Sequence, residues 1–279
     1  MDSIGVRGAL PLRFYEVVSP GYTVAKAIRL LGTRGVDHAA VVDDEGYLVA
    51  VVSTKDLARH VLDAFEEAGA VERFDFDAVL EVPVSEVASK PPYVTRSLDM
   101  LGCAEIMLDR GIGFLPVVDD SGRLVAACTE LDYALELLGE EGEARCYATH
   151  RLLMGEPDEP LIEALGTMME LGVRRLPIRF RDDYYMATMA ELLMAIARER
   201  REETLVRDVV EVAQPAPRLG YEEATIGQAA ELVLAAPERA LLLIDREGLA
   251  RGIVTERDLL EAYRDIRRGE RGCPRLRRG

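Results

Sequence analysis

No stretch of this chain stays apolar for long enough to cross a bilayer, so no membrane-spanning helix is expected. The first residues, MDSIGVRGALPLRFYEVV, lack a basic start, a long apolar centre and a small-residue cleavage site, and no secretory signal is expected. The chain has no Cys/His cluster with metal-ligand spacing, no Gly-x-Ser-x-Gly elbow and no Walker-type glycine loop, so neither a structural metal nor catalysis is expected. Lysine is rare, occurring only as Lys26, Lys55 and Lys90, and acids outnumber bases to give a net charge of −16. That balance argues against a general phosphate-backbone binder, which needs a basic face. The four cysteines, Cys103, Cys128, Cys146 and Cys273, show no paired spacing. Cys103 falls in a helical pattern and Cys128 in an apolar strand, where free thiols behave as small hydrophobes; a reducing, cytoplasmic compartment is expected.

What the chain does have is a repeat. An apolar run ending in Asp, a Gly-bearing turn, a second apolar run and then Ser/Thr-x-x-Asp occur as VVDDEGYLVAVVSTKDLA at 41–58, VVDDSGRLVAACTELDYA at 117–134 and LIDREGLARGIVTERDLL at 243–260. The step from acid to hydroxyl is ten positions each time: Asp43 to Ser53, Asp119 to Thr129, Asp245 to Thr255. A weaker copy, LPIRFRDDYYMATMAELLMA at 176–195, has a turn two residues shorter. Amphipathic helical patterns precede the hairpins at 23–36, 98–112 and 160–173 and close on glycine, as a left-handed helix cap requires; in the last copy Ala236-Pro237 stands there instead.

Each unit therefore reads helix, strand, hairpin, strand, helix, an α+β pattern with one apolar sheet face that needs a partner unit. The motifs fall near 15–70, 84–140, 145–200 and 205–268. Two domains are expected, 1–142 and 143–268, divided at the polar stretch 137–145, followed by a loose basic tail at 269–279. The insert at 66–87 has helical content and is expected to pack. From Arg264 to Gly279 the chain carries seven arginines against Asp265 and Glu270.

Ser/Thr-x-x-Asp is first of all a capping box, worth about 1 kcal/mol to a helix. The same geometry exposes amide groups at a helix N-terminus, which favour phosphate, while the acid can accept hydrogen bonds from a sugar diol. The residues alone leave both readings open. GIVTERDLL at 252–260, with its siblings AVVSTKDLA at 50–58 and AACTELDYA at 126–134 and with FLPVVDDSGRLVA at 114–126, resembles the CBS motif, over roughly residues 15–268. The resemblance implies four motifs paired into two Bateman modules with pseudo-twofold symmetry, whose clefts take AMP, ADP, ATP or S-adenosylmethionine.

Carried onto this chain, the resemblance places the ribose-binding acid at Asp56, Asp132 and Asp258 and the hydroxyl at Ser53, Thr129 and Thr255. The third unit keeps Thr188 but has Glu191 for Asp, whose extra methylene shifts the carboxylate, and Tyr185 where Gly252 stands in the fourth. Candidate phosphate-neutralising groups are Arg174 and Arg175, whose planar forks suit phosphate, together with His38 and Arg239. Arg174-Arg175 also reads as a solvated turn with a chance ion pair. Tyr22 and Tyr93 could line an adenine slot or belong to a core strand. The expected function is non-catalytic: a regulatory, energy-sensing homodimer that binds an adenosine ligand and signals to a partner protein. The alternative is a nucleic-acid-associated protein that uses the Arg-rich tail.

Overall fold

A computed structural model describes residues 15–96, 99–270 and 272–275. The first unit comprises β1 (Glu16–Val18), α1 (Val24–Arg34), β2 (His38–Val42), β3 (Leu48–Ser53) and α2 (Thr54–Ala68). The insert after it does pack: it holds α3 (Phe76–Leu80) and α4 (Val84–Val87), with Val79, Leu80 and Val84 buried. The second unit is α5 (Met100–Arg110), β4 (Phe114–Val118), β5 (Leu124–Thr129) and α6 (Glu130–Leu135). The third is α7 (Leu161–Glu170), β6 (Arg175–Phe180), β7 (Asp183–Thr188) and α8 (Met189–Glu199), followed by α9 (Glu202–Leu205). A short β8 (Gln214–Pro215) leads to the fourth: β9 (Arg218–Gly220), α10 (Ile226–Ala235), β10 (Ala240–Ile244), β11 (Ala250–Thr255) and α11 (Glu256–Arg267).

The constant ten-residue step has a local cause. In each full-length hairpin the run-ending Asp turns back on its own backbone: Asp43 Oδ1 accepts the N–H groups of Glu45 and Tyr47, Asp119 those of Ser121 and Arg123, and Asp245 those of Glu247 and Leu249. The glycine that follows takes a positive φ, 90° at Gly46, 92° at Gly122 and 82° at Gly248, where a side chain would be strained. In the third hairpin Phe180 pairs directly with Asp183, and the two-residue turn puts Arg181 at φ 56°. The shortened turn is a real change of turn type.

Units join in pairs through their sheets. Gly46 and Gly122 carbonyls accept from Leu124 and Leu48 across the first two hairpins, and the stretch leading into the second unit adds Ser89 against Val51. In the second pair β8 lies against β7, and Thr149 pairs with Ile253 of β11. The pairs then close on each other through helices. Gly32 of α1 lies so near Met194 of α8 that a Cβ there would fall 2.5 Å from the sulfur, while Tyr133 of α6 meets Tyr263 of α11 with ring centroids 5.0 Å apart. One apolar core runs through all four units, including Ile28, Met107, Met168 and Leu260. The stretch at 137–145, expected as a linker, is built into the body: the Glu140 and Ala224 carbonyls accept from Gly227 and Ala144.

Two expectations are corrected. Cys103 and Cys128 are buried free thiols, but Cys146 and Cys273 form a disulfide across a sequence separation of 127, so the cysteines no longer argue for a reducing compartment. The tail, expected loose, is anchored to the body over its described residues 272–275. Closing so long a loop restricts the unfolded chain, which is worth on the order of 2–4 kcal/mol. Reduction with dithiothreitol, or Cys273→Ser, is therefore expected to lower the unfolding free energy by about that amount in urea titrations.

Candidate functional site

The capping boxes form as the motif requires. Ser53, Thr129 and Thr255 each present backbone N–H and hydroxyl to one oxygen of the acid three residues on, Asp56, Asp132 and Asp258, at 2.6 to 2.9 Å. In the third unit the Thr188 hydroxyl donates to Glu191 at 2.9 Å. Burial pushes the Glu191 carboxyl up to about 7, against the pull of that hydroxyl. What distinguishes the four corners is the use of the acid's second oxygen and the space in front of it. In the first unit the Ser89 hydroxyl points at Asp56 Oδ1 from 3.4 Å. In the second, Asp132 is 1% exposed, and the hollow beside Thr129 measures only about 20 Å³, room for about one water.

The fourth corner opens on a cavity of about 410 Å³, within the range of small-molecule sites. Thr255 and Asp258 line it on one side; Leu152, Leu153, Pro177 and Ile253 form an apolar end; Lys55, Arg151, Arg174, Arg175, Arg257 and Arg275 are the cations. Gly252 lies close behind this wall: a Cβ there would sit 3.1 Å from that of Ala148, tighter than an ordinary contact. Thus the structure brings Thr255, Asp258, Arg174 and Arg175 to one cavity. Ser53, Asp56, Asp132, Thr188 and Glu191 lie outside its lining, as do Thr129, His38 and Arg239, which border the small hollow instead. Tyr22 packs on the core, and Tyr93 lies exposed under Arg110, whose guanidinium sits 4.4 Å from the ring centre.

Behind the cavity is a buried ion cluster contributed by the first, third and fourth units. Arg175 donates to Asp37 at 2.8 Å, to Glu256 at 2.8 Å and to the Glu238 carbonyl at 2.9 Å. This is no solvated turn: the Arg175 side chain is 10% exposed. Burial works against the charge of Asp37, but Arg175 and Arg174 together outweigh it and hold the carboxyl far below the usual carboxylate range. Burial likewise pushes Glu256 up to about 8, against the pull of Arg175. His38 stacks on Phe114 with centroids 5.6 Å apart, and burial followed by the charge of Arg174 drives its pKa down to about 3. His38 thus faces the small hollow and not the cavity of Thr255 and Asp258. Arg239 is spent on backbone, donating to the Gly35, Val233 and Leu234 carbonyls at two helix ends.

Sequence reasoning missed Lys55, Arg151, Arg257, Arg275 and Thr149. Lys55 and Arg257 occupy the variable positions of Ser/Thr-x-x-Asp, and both reach other units: Lys55 donates to the Gly172 carbonyl at 2.7 Å, Arg257 to the Ile112 carbonyl at 2.9 Å and Glu130 at 3.1 Å. Burial, then Arg174, lowers the Lys55 pKa. A lysine inside the motif of a chain with three lysines was the available signal.

Helix–hairpin–helix units joined in pairs, with a cavity at one strand-to-helix corner, define a tandem-repeat module. The chain belongs to the CBS domain family, whose model matches residues 8–63, 84–139 and 206–265. The third unit falls outside those matches and is recognised by its fold. A 33.4 kDa protein in the ribosomal RNA operon of Thermofilum pendens is 28% identical over 264 residues, covering 88% of this chain and 86% of that protein. The crystal structure of protein MJ1225 from Methanocaldococcus jannaschii superposes with a TM-score of 0.74 at 20% identity, over 88% of this chain and 95% of that one, which shows a shared fold. CBS domain protein PAE2072 from Pyrobaculum aerophilum, solved with AMP, matches 43% of this chain and 84% of its own at 24% identity, with a TM-score of 0.34.

The ion cluster fixes two outcomes. Arg175→Ala leaves Asp37 and Glu256 buried without their cation and is expected to cost roughly 3–5 kcal/mol of stability in denaturant titrations. Glu256 has its pKa raised by folding, so its contribution is full below the ordinary value and is lost as pH climbs through about 8. His38, lowered by folding, favours the folded state increasingly as pH rises, but only up to its ordinary value of 6.5. Stability is therefore expected to fall between pH 6.5 and 8, and Glu256→Gln to flatten that fall when unfolding is measured across the window.

Proposed function

We propose that this protein is a non-catalytic regulatory sensor of adenine nucleotides, with its principal site in the cavity at the corner of Thr255 and Asp258. The observation that carries this is electrostatic. In a chain of net charge −16, the cavity gathers six cationic side chains against the three acids Glu130, Glu256 and Asp258. Collecting cations there costs mutual repulsion and desolvation, which an anionic ligand offsets. The apolar end suits adenine, the Asp258 carboxylate a ribose diol, and Arg174 with Lys55 the phosphates. The cation excess favours AMP, ADP or ATP over S-adenosylmethionine, whose sulfonium is itself positive.

Regulation then acts in trans on a partner protein, and we take the working form to be a cytoplasmic homodimer divided into modules at 1–142 and 143–268. A nucleic-acid role is disfavoured by the described tail arginines. Arg264 pairs with Asp265, Arg267 with Glu136, Arg268 with Glu105 and Arg275 with Glu261, so their charges are answered within the molecule.

Calorimetric titration of the thiol-reduced protein with ATP, ADP, AMP, adenosine and S-adenosylmethionine tests the reading. Asp258→Ala is expected to weaken nucleotide binding by about ten- to a hundredfold, the worth of a hydrogen bond to a charged group. Arg174→Ala is expected to weaken ATP more than adenosine. Equal losses for both would remove Arg174 from the phosphate site, and indifference to every ligand would remove the site.

A further inference from the structure

One wall of the cavity, at Asp258, is covered by the chain's own C-terminal segment. Asp258 Oδ2 is committed to Thr255, and the outer oxygen, Oδ1, accepts a hydrogen bond from Arg275. The same guanidinium donates to the Thr149 hydroxyl at 2.7 Å and to Glu261 at 2.6 Å, and the Arg275 N–H donates to the Cys146 carbonyl at 3.3 Å. Asp258 is thereby left 3% exposed. A ribose diol needs the oxygen that Arg275 occupies. Two residues before Arg275, Cys273 is bonded to Cys146, which lies three residues before Thr149 in the cavity wall. The cross-link thus sits where it holds Arg275 in place.

We propose that residues 272–275 form a thiol-gated strap in which the Cys146–Cys273 disulfide pins Arg275 onto Asp258 and so excludes the sugar of an adenine nucleotide; this rests on the nucleotide reading above. Burial raises the Asp258 pKa against the pull of Arg275, so the carboxylate needs a donor at its outer oxygen, either Arg275 or the ligand's diol. Opening is a two-electron exchange with a dithiol reductant. Its thiolate attacks the sulfur of Cys273, the less buried of the two residues, the Cys146 sulfur leaves and takes a proton, and the reductant's second thiol resolves the mixed disulfide. The products are two cysteine thiols and the oxidised dithiol. Arg275 then keeps its ion pairs but loses the tether that sets its high effective concentration at Asp258.

The test is calorimetric titration of the full chain with ATP in four forms: oxidised wild type, wild type reduced with dithiothreitol, Arg275→Ala with the disulfide intact, and Cys273→Ser. The oxidised wild type is expected to bind roughly tenfold or more weakly than Arg275→Ala, with the reduced wild type and Cys273→Ser agreeing with each other and binding more tightly than the oxidised form. Arg275→Ala keeps the cross-link, so a gain there cannot come from loosening the fold. Equal ATP affinity in all four forms overturns the strap and leaves the nucleotide site standing. A gain in Arg275→Ala without one on reduction overturns the thiol gate. No binding by any form overturns the strap and the nucleotide reading together.

Discussion

Arg175 is the constraint on which the assembly turns. Its guanidinium belongs to the third unit, yet it holds Asp37 of the first and Glu256 of the fourth, and its main chain starts the β6 strand that closes the third hairpin. A buried arginine is tolerable only when both of its faces meet acids, and these acids are themselves unfavourable without it. The cluster therefore specifies one relative placement of the units where apolar burial alone would accept several. The helix contacts that surround it, α1 on α8 and α6 on α11, can slide by small amounts; three charge-assisted hydrogen bonds cannot.

From that placement the difference between corners follows. All four strand-to-helix junctions use the same capping chemistry, so capping does not mark the functional one. At the second unit's corner, residues of the other units, among them His38, Arg175 and Arg239, close in and leave only a small hollow, with Glu130 and Asp132 buried. The fourth keeps its corner open because Arg174, Arg257 and Lys55, each from a different unit, surround it without collapsing into it. The repeat supplies the scaffold four times, and contacts between distant units decide which copy keeps a cavity at its corner.

How much was legible depended on the range of the interaction. The hairpins and helix starts were readable because Asp43, Asp119 and Asp245 bond backbone within four residues, and Ser53, Thr129 and Thr255 bond acids three residues on. Pairing of units followed from one-sided sheets. The partners of Arg175 were not readable, because Asp37 lies 138 residues away and carries no local pattern. The surroundings of His38 were unreadable for the same reason: it is buried beside Arg174, a group 136 residues distant. Cys146 and Cys273 show no spacing rule across 127 residues, and only the fold brings them together. Arg275 looked like part of a charged end, yet its neighbours are the acids of a cavity.

The claim most exposed to contradiction is that an adenine nucleotide seats at the fourth corner and not at the first. Hydrogen–deuterium exchange on the thiol-reduced protein, with and without saturating ATP, addresses it directly. The account predicts slowed exchange at residues 148–153 and 252–258, larger than any change at 50–56, where Lys55 alone reaches the same cavity. Protection at 50–56 without any at 252–258 would contradict it.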